Sequence, residues 1–182
     1  MYKKEQELKD HYDKHYQAGI TISSIGAIKK TFEELGVQLR GKVLDLGCGS
    51  GSACRVMKDN YDVEVMGVDY SKKRVELAKK KHPDIEFLNM DMHEFIETTN
   101  LIGHFDIITM FDVIEHLEDP VELIKNARSL LGTRGIIVAR IPKNNVYIAH
   151  LQVYKDLDDL KAKLNPTFAK HLQETMLAMW TK

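Results

Sequence analysis

The spacing of apolar residues changes near residue 42 and divides the chain into two kinds of pattern. Before that point Ile25, Ile28, Phe32 and Leu35 recur every three or four positions, the period of a helix that buries one face. Ser23 and Ser24 stand as N-cap candidates for this helix, and Gly36 as its stop. Upstream, Lys3 to about Tyr16 is polar, with Tyr12 and Tyr16 four apart on one helical face. From Lys42 onward, short apolar runs alternate with helical stretches. The runs 43–46, 63–68, 85–88, 105–110 and 135–141 read as strands. Between them the pattern predicts helices at about 51–59, 71–81 and 119–131, with a shorter turn near 92–97. Strands with apolar cores separated by helices predict an α/β fold whose parallel sheet is covered on both faces.

Beyond Pro142 the signal weakens. Leu157, Leu160 and Leu164 share one face of a helix from Asp156 to Leu164, which Asn165-Pro166 ends. From Thr167 to Lys182 the apolar positions Phe168, Leu172, Met176 and Trp180 fit a helical stripe, but two short strands are also compatible, and periodicity does not choose. No repeat, low-complexity segment or linker interrupts the chain.

Three polar features fall at the ends of successive strands. Gly47-Cys48-Gly49-Ser50-Gly51 follows the first strand and opens a helix. Such a turn lets a ligand approach bare backbone, and the helix start offers free N–H groups. Dinucleotide enzymes share that feature, but here the spacing is G-x-G-x-G, with Ser52 where their fingerprint has Gly or Ala and Asp45 inside the strand. Asp69 ends the second strand, where a carboxylate can accept both hydroxyls of an adenine ribose or cap the helix beginning at Ser71. Asp91 follows the third strand, where it can accept from an adenine amine, or cap the turn of Met92-His93-Glu94-Phe95. Ligands of open α/β sheets bind at the carboxyl ends of strands, where all three lie.

Composition narrows the class of protein. A formal net charge of -1 over 182 residues leaves no global electrostatic footprint for nucleic acid or an anionic membrane. Lys79, Lys80 and Lys81 read as a solvated helix end. The two cysteines, Cys48 and Cys54, make neither a disulfide framework nor a zinc site, which fits a reducing compartment. The charged N-terminus is unlike a signal peptide, and no apolar run approaches the ~20 residues of a membrane span. A cytoplasmic protein is expected.

The runs Val43-Leu44-Asp45-Leu46-Gly47-Cys48-Gly49-Ser50-Gly51, Gly67-Val68-Asp69-Tyr70-Ser71, and Phe105-Asp106-Ile107-Ile108 with Asp112-Val113-Ile114-Glu115-His116-Leu117 resemble the signature of class I S-adenosylmethionine-dependent methyltransferases. The likeness runs from about residue 40 to 141 and more loosely to the C-terminus. It implies a Rossmann-like, mostly parallel seven-stranded sheet of order 3-2-1-4-5-7-6, which would turn the ambiguous tail into an antiparallel strand pair. It also implies one domain over 1–182: a helical cap at 1–40, a cofactor-binding core at 41–141, and a substrate-side loop with C-terminal helix and strands at 142–182. For the cofactor, S-adenosyl-L-methionine, the resemblance implies that Gly47, Gly49 and the backbone of Cys48 hold the methionine end, with Asp45 also among the cofactor-binding residues. Asp69, beside Tyr70, would hold the ribose, Asp91 with Met92 the adenine, and Phe111 would line the methionine moiety.

Methyl transfer from a sulfonium is an in-line displacement; the protein aligns the acceptor, excludes water and, for hydroxyls, removes a proton. Candidate groups follow the fourth strand, at Asp112, Glu115 and His116, with His150 beyond the fifth. The chain resembles most closely ubiquinone-biosynthesis O-methyltransferases and small-RNA 3′-terminal 2′-O-methyltransferases, several of which carry E-x-x-E-H and a distal His around a divalent cation. Carried over, Asp112, Glu115, His116 and His150 would hold Mg²⁺ or Mn²⁺. This sequence has Asp112, shorter by one methylene, where Glu is usual, and Glu115 with His116 also reads as a brace for the loop. Without a metal, His116 or His150 becomes the general base. His11 and His15, with Tyr12 and Tyr16, read either as a lid over the cofactor or as a packed helix. No N-P-P-Y motif follows the fourth strand, where the chain has Met110-Phe111-Asp112-Val113, which argues against amino groups of bases as acceptors. A small-molecule hydroxyl acceptor is the leading expectation. Metal-dependent 2′-O-methylation of RNA 3′ ends and a non-catalytic cofactor-binding module in a protein complex are the alternatives.

Overall fold

The computed structural model describes residues 25–143, 150–172 and 175–182. The N-cap candidates Ser23 and Ser24 and the lid candidates His11, Tyr12, His15 and Tyr16 lie outside them. Helix α1 (Ile25–Leu35) precedes β1 (Gly41–Leu46), and α2 (Ser52–Asn60), β2 (Val63–Asp69), α3 (Lys72–Lys81) and β3 (Glu86–Asn89) follow in alternation. Then come α4 (Met92–Thr98), β4 (Phe105–Phe111), a 3₁₀ turn (Ile114–His116), α5 (Pro120–Ala127) and β5 (Leu131–Pro142). The chain ends with α6 (Leu157–Leu164), β6 (Phe168–Leu172) and β7 (Thr175–Thr181).

The strands form one seven-stranded sheet in the order β3-β2-β1-β4-β5-β7-β6. The pairings from β3 to β5 are parallel, and β7 runs antiparallel to both β5 and β6. From β1 the chain builds outward through β2 and β3, then returns to the other side of β1 with β4. That reversal opens a crevice at the carboxyl ends of β1 and β4.

Alternation along the strands sorts the core into two layers. Val43, Ile107, Val138 and Leu177 face α1, α2 and α3, packing with Ile28, Phe32, Met57 and Val75. Leu44, Leu46, Ile108, Met110, Ile137 and Ala139 face α4, α5 and α6, packing with Phe95, Leu123 and Leu160. Local chemistry sets the helix ends. Asp119 and Asp156 accept from the first-turn N–H groups of α5 and α6, while Pro120 at the first turn of α5 gives up no hydrogen bond. The helix expected to run to residue 131 stops at Ala127. A 3₁₀ turn follows, and Leu131 already pairs with Phe105 at the start of β5.

The tail is the strand pair that the resemblance implied, not a helix. Positions four apart lie on one face of a strand as well as of a helix, so Met176 and Trp180 still share a face, joined by Ala178 between them. The indole Nε1 of Trp180 donates to the Leu164 carbonyl, 3.0 Å away, tying β7 to the end of α6. Among the described residues, no helix is long and apolar enough to cross a membrane.

Candidate cofactor and acceptor site

The loop after β1 is held from below by backbone and from the side by one carboxylate. Gly47 N and Cys48 N both donate to the Val68 carbonyl, at 2.8 and 3.1 Å, and Gly51 N donates to the Cys48 carbonyl at 3.0 Å. Gly47 has φ +78°, and a Cβ there would come within 2.5 Å of a Val113 methyl. Gly51, also left-handed, opens α2 with the Phe87 ring 2.5 Å from where a Cβ would sit. Both positions therefore demand glycine for conformation and for space.

Asp69 is buried at the end of β2. One carboxylate oxygen accepts from Gly49 N and the other from Ser71 N, each at 2.8 Å, so Asp69 ties the glycine loop to the start of α3. Tyr70 follows it at the rim. Asn89 Nδ2, from the end of β3, donates to the carbonyls of Tyr70 at 2.7 Å and Asp69 at 3.1 Å. Asp91 caps α4, its Oδ1 accepting from His93 N at 2.8 Å and from Glu94 N at 3.4 Å. Met92 is the first residue of that helix. Helix capping was one of the two sequence readings of Asp91. Cap and ligand roles are compatible, since a carboxylate has several lone-pair positions.

Asp45 sits apart from this rim. Only 2% exposed, it faces the α1–α3 layer, accepting from the Thr109 hydroxyl at 2.6 Å and from the Cys54 thiol at 3.3 Å. Burial pushes its carboxyl up to about 6, against the two hydrogen bonds that lower it. Its contacts brace β1 against β4 and α2.

A second cluster follows β4. Phe111 ends the strand with its ring edge-on to Phe32, centroids 6.4 Å apart, and Asp112 turns the chain with φ +55°. The 3₁₀ turn then presents Glu115 and His116. The Glu115 carbonyl accepts from both Leu151 N at 2.8 Å and Gln152 N at 2.9 Å, which docks the segment carrying His150. The His116 and His150 rings lie edge to face, 4.9 Å apart. Donor atoms of Glu115, His116 and His150 all fall within 4.8 Å of one another. Asp112 is not part of that close group, but its carboxyl senses the His150 charge.

The carboxylates of this cluster are poorly solvated. Burial pushes Asp112 up to about 6, with Arg140 and His150 opposing, and pushes Glu115 up to about 8, with Asp112 adding to the rise. Asp112 Oδ1 and Glu115 Oε2 are buried without a hydrogen-bond partner among the described residues.

Two neighbours of this cluster were not singled out in the sequence. Tyr154 is 1% exposed, its hydroxyl is buried without a partner among the described residues, and burial together with the Glu115 charge pushes its phenol up. Arg140, in β5, bears on Asp112. Its only sequence signal is a cation inside the apolar run Ile136-Ile137-Val138-Ala139-Arg140-Ile141.

This fold and site place the chain in a defined class. The family model described as a methyltransferase domain matches residues 12–179, and the chain belongs to that family, that of class I S-adenosylmethionine-dependent methyltransferases. It is 29% identical to a ubiquinone biosynthesis O-methyltransferase of Coxiella burnetii over 163 residues, covering 87% of this chain and 69% of that one. A crystal structure of a SAM-dependent methyltransferase from Aquifex aeolicus shares the fold with a TM-score of 0.69 at 14% identity, over 97% of each chain. Magnesium protoporphyrin IX methyltransferase from Synechocystis, solved with bound SAM, matches with a TM-score of 0.66 at 17% identity, over 100% of this chain and 98% of that one. The chain spans about half the length of several other solved chains with this fold.

Proposed function

We propose that this methyltransferase acts on a hydroxyl oxygen of a small molecule presenting two adjacent oxygens, with Mg²⁺ or Mn²⁺ held by Glu115, His116 and His150 beside Asp112. The observation that carries this reading is the convergence of those three donors within 4.8 Å at the carboxyl end of β4. The residues suit a cation: two buried carboxylate oxygens there lack any partner among the described residues, and a mixed carboxylate and imidazole set is chemically appropriate for these ions. When bound, such an ion supplies chelation of vicinal oxygens and a lowered acceptor pKa. The similarity to an enzyme named as an O-methyltransferase favours oxygen as the acceptor atom.

The chain's own groups divide the remaining work. The Gly47–Gly49 loop, including the Cys48 backbone, holds the methionine end of S-adenosylmethionine, with Phe111 against it, while Asp45 braces the preceding strand β1 against β4 and α2. Asp69 and Tyr70 serve the ribose, and Asp91 with Met92 the adenine. His116 and His150, both only partly buried, are ligands while the ion is bound; without a metal, one of them becomes the base that takes the acceptor proton. Gln152 Nε2 donates to the Leu117 and Glu118 carbonyls, holding the two halves of the cluster in register.

The test is transfer of a labelled methyl group to catechol and to short RNAs with a terminal 2′,3′-diol. EDTA should abolish transfer to catechol, and Mg²⁺ or Mn²⁺ should restore it. His150→Ala, as loss of a direct ligand, should weaken Mg²⁺ or Mn²⁺ binding by more than the about 10–100-fold typical of an outer-shell support. In the metal-free case it should instead lower the rate about 10²–10⁴-fold as loss of a general base. Full activity in EDTA, with His150→Ala unaffected, would overturn the proposal. Methylation confined to RNA ends would move the acceptor to a ribose diol.

A further inference from the structure

Arg140 stands where a charged residue needs a reason. It lies in β5 between Phe111 of β4 and Leu177 of β7 in the sheet register. Val138, two residues earlier, packs in the α1–α3 layer, so alternation sends the Arg140 side chain to that same face. There it sits one residue pair beyond the Thr109–Val138 pair on that face, at the rim from which the Asp112 turn departs. Its Nε is buried without a partner among the described residues. Among those residues the guanidinium forms no hydrogen bond and no ion pair, although its charge reaches the Asp112 carboxyl. An unpaired, partly desolvated cation is costly unless something else meets it.

We propose that Arg140 anchors an anionic group, a carboxylate or a phosphate, on the methyl acceptor, making it a specificity-determining residue for a negatively charged diol. The proposal rests on the acceptor reading above and names the substrate class for that same site. A guanidinium is planar and binds such oxyanions through two parallel hydrogen bonds. The Asp112–His116 turn begins immediately beyond the Phe111–Arg140 pair, so one acceptor can reach both, with its hydroxyls toward Glu115, His116 and His150. The carboxylate of the cofactor itself is the competing anion. The glycine loop follows β1, however, and β5 is two strands away, roughly 10 Å at ordinary strand spacing. The loop amides and Arg140 therefore address different molecules.

Calorimetry with S-adenosylhomocysteine present tests this on matched probes, 3,4-dihydroxybenzoate against catechol and uridine 5′-monophosphate against uridine. The wild-type protein should bind the charged member of at least one pair about 10–100-fold more tightly, and the pair that discriminates identifies carboxylate or phosphate. Arg140→Met should erase that preference while leaving the neutral probe and S-adenosylhomocysteine within about threefold. Arg140→Lys, which keeps the charge but loses the planar fork, should retain part of the preference, and it serves if the methionine variant fails to fold. Equal binding within both pairs, or a loss confined to S-adenosylhomocysteine, overturns the proposal. Charged-probe preference without methyl transfer to any diol supports the Arg140 anchor while refuting the hydroxyl-acceptor reading.

Discussion

Replacing Asp45 with asparagine should make the protein's stability less sensitive to pH between 4 and 7. Asp45 is enclosed between Thr109 and Cys54 at 2% exposure, and burial raises its carboxyl to about 6. An unfolded Asp titrates near 3.9, so folding favours the protonated form. The stability that goes with this is therefore fully present below about pH 4 and is lost as pH rises through about 6. A rise of about two pH units, at about 1.4 kcal/mol each, amounts to roughly 2–3 kcal/mol by pH 7. The asparagine side chain would keep an oxygen for the Thr109 hydroxyl and carry no charge. Urea melts of both proteins at half-unit steps should show the difference in unfolding free energy, Asp45→Asn minus wild type, rising with pH by about 2–3 kcal/mol. Asp112 and Glu115 are raised in the same direction, but they titrate in both proteins and cancel in that difference. A flat difference, or one that falls with pH, refutes the reasoning.

Other consequences are as direct. Asp69→Ala removes the acceptor for both Gly49 N and Ser71 N. It should cost roughly 2–4 kcal/mol in denaturant melts and weaken S-adenosylhomocysteine binding at least about tenfold by calorimetry, whereas intact affinity would leave Asp69 as a helix-start brace alone. S-Adenosylhomocysteine at about a hundred times its Kd should add about 2.7 kcal/mol and raise Tm by roughly 5–10 °C, and NAD⁺ should add nothing. Trp180→Phe deletes the hydrogen bond to the Leu164 carbonyl and should lower the unfolding free energy by about 1–3 kcal/mol, with cofactor affinity unchanged.

Local chemistry is what the sequence determined unaided. Alternating apolar runs and helical stretches placed the first five strands and the helices between them within a few residues, because strand periodicity and capping are short-range effects. The glycine turn was equally legible, since left-handed backbone at Gly47 and Gly51 leaves few other residues possible. The tail was not. Phe168, Leu172, Met176 and Trp180 are equivalent on a helix and on a strand, and only pairing with β5 and burial of Trp180 against α6 select the hairpin. The resemblance anticipated that choice, whereas the periodicity did not. Roles of charged residues also waited for the fold. That Asp45 faces Thr109, 64 residues away, that His150 docks beside His116 through the Glu115 carbonyl, and that Arg140 reaches the rim beside Asp112 are long-range outcomes. They follow from strand order and register, which place together residues whose separation along the chain carries no sign of their contact.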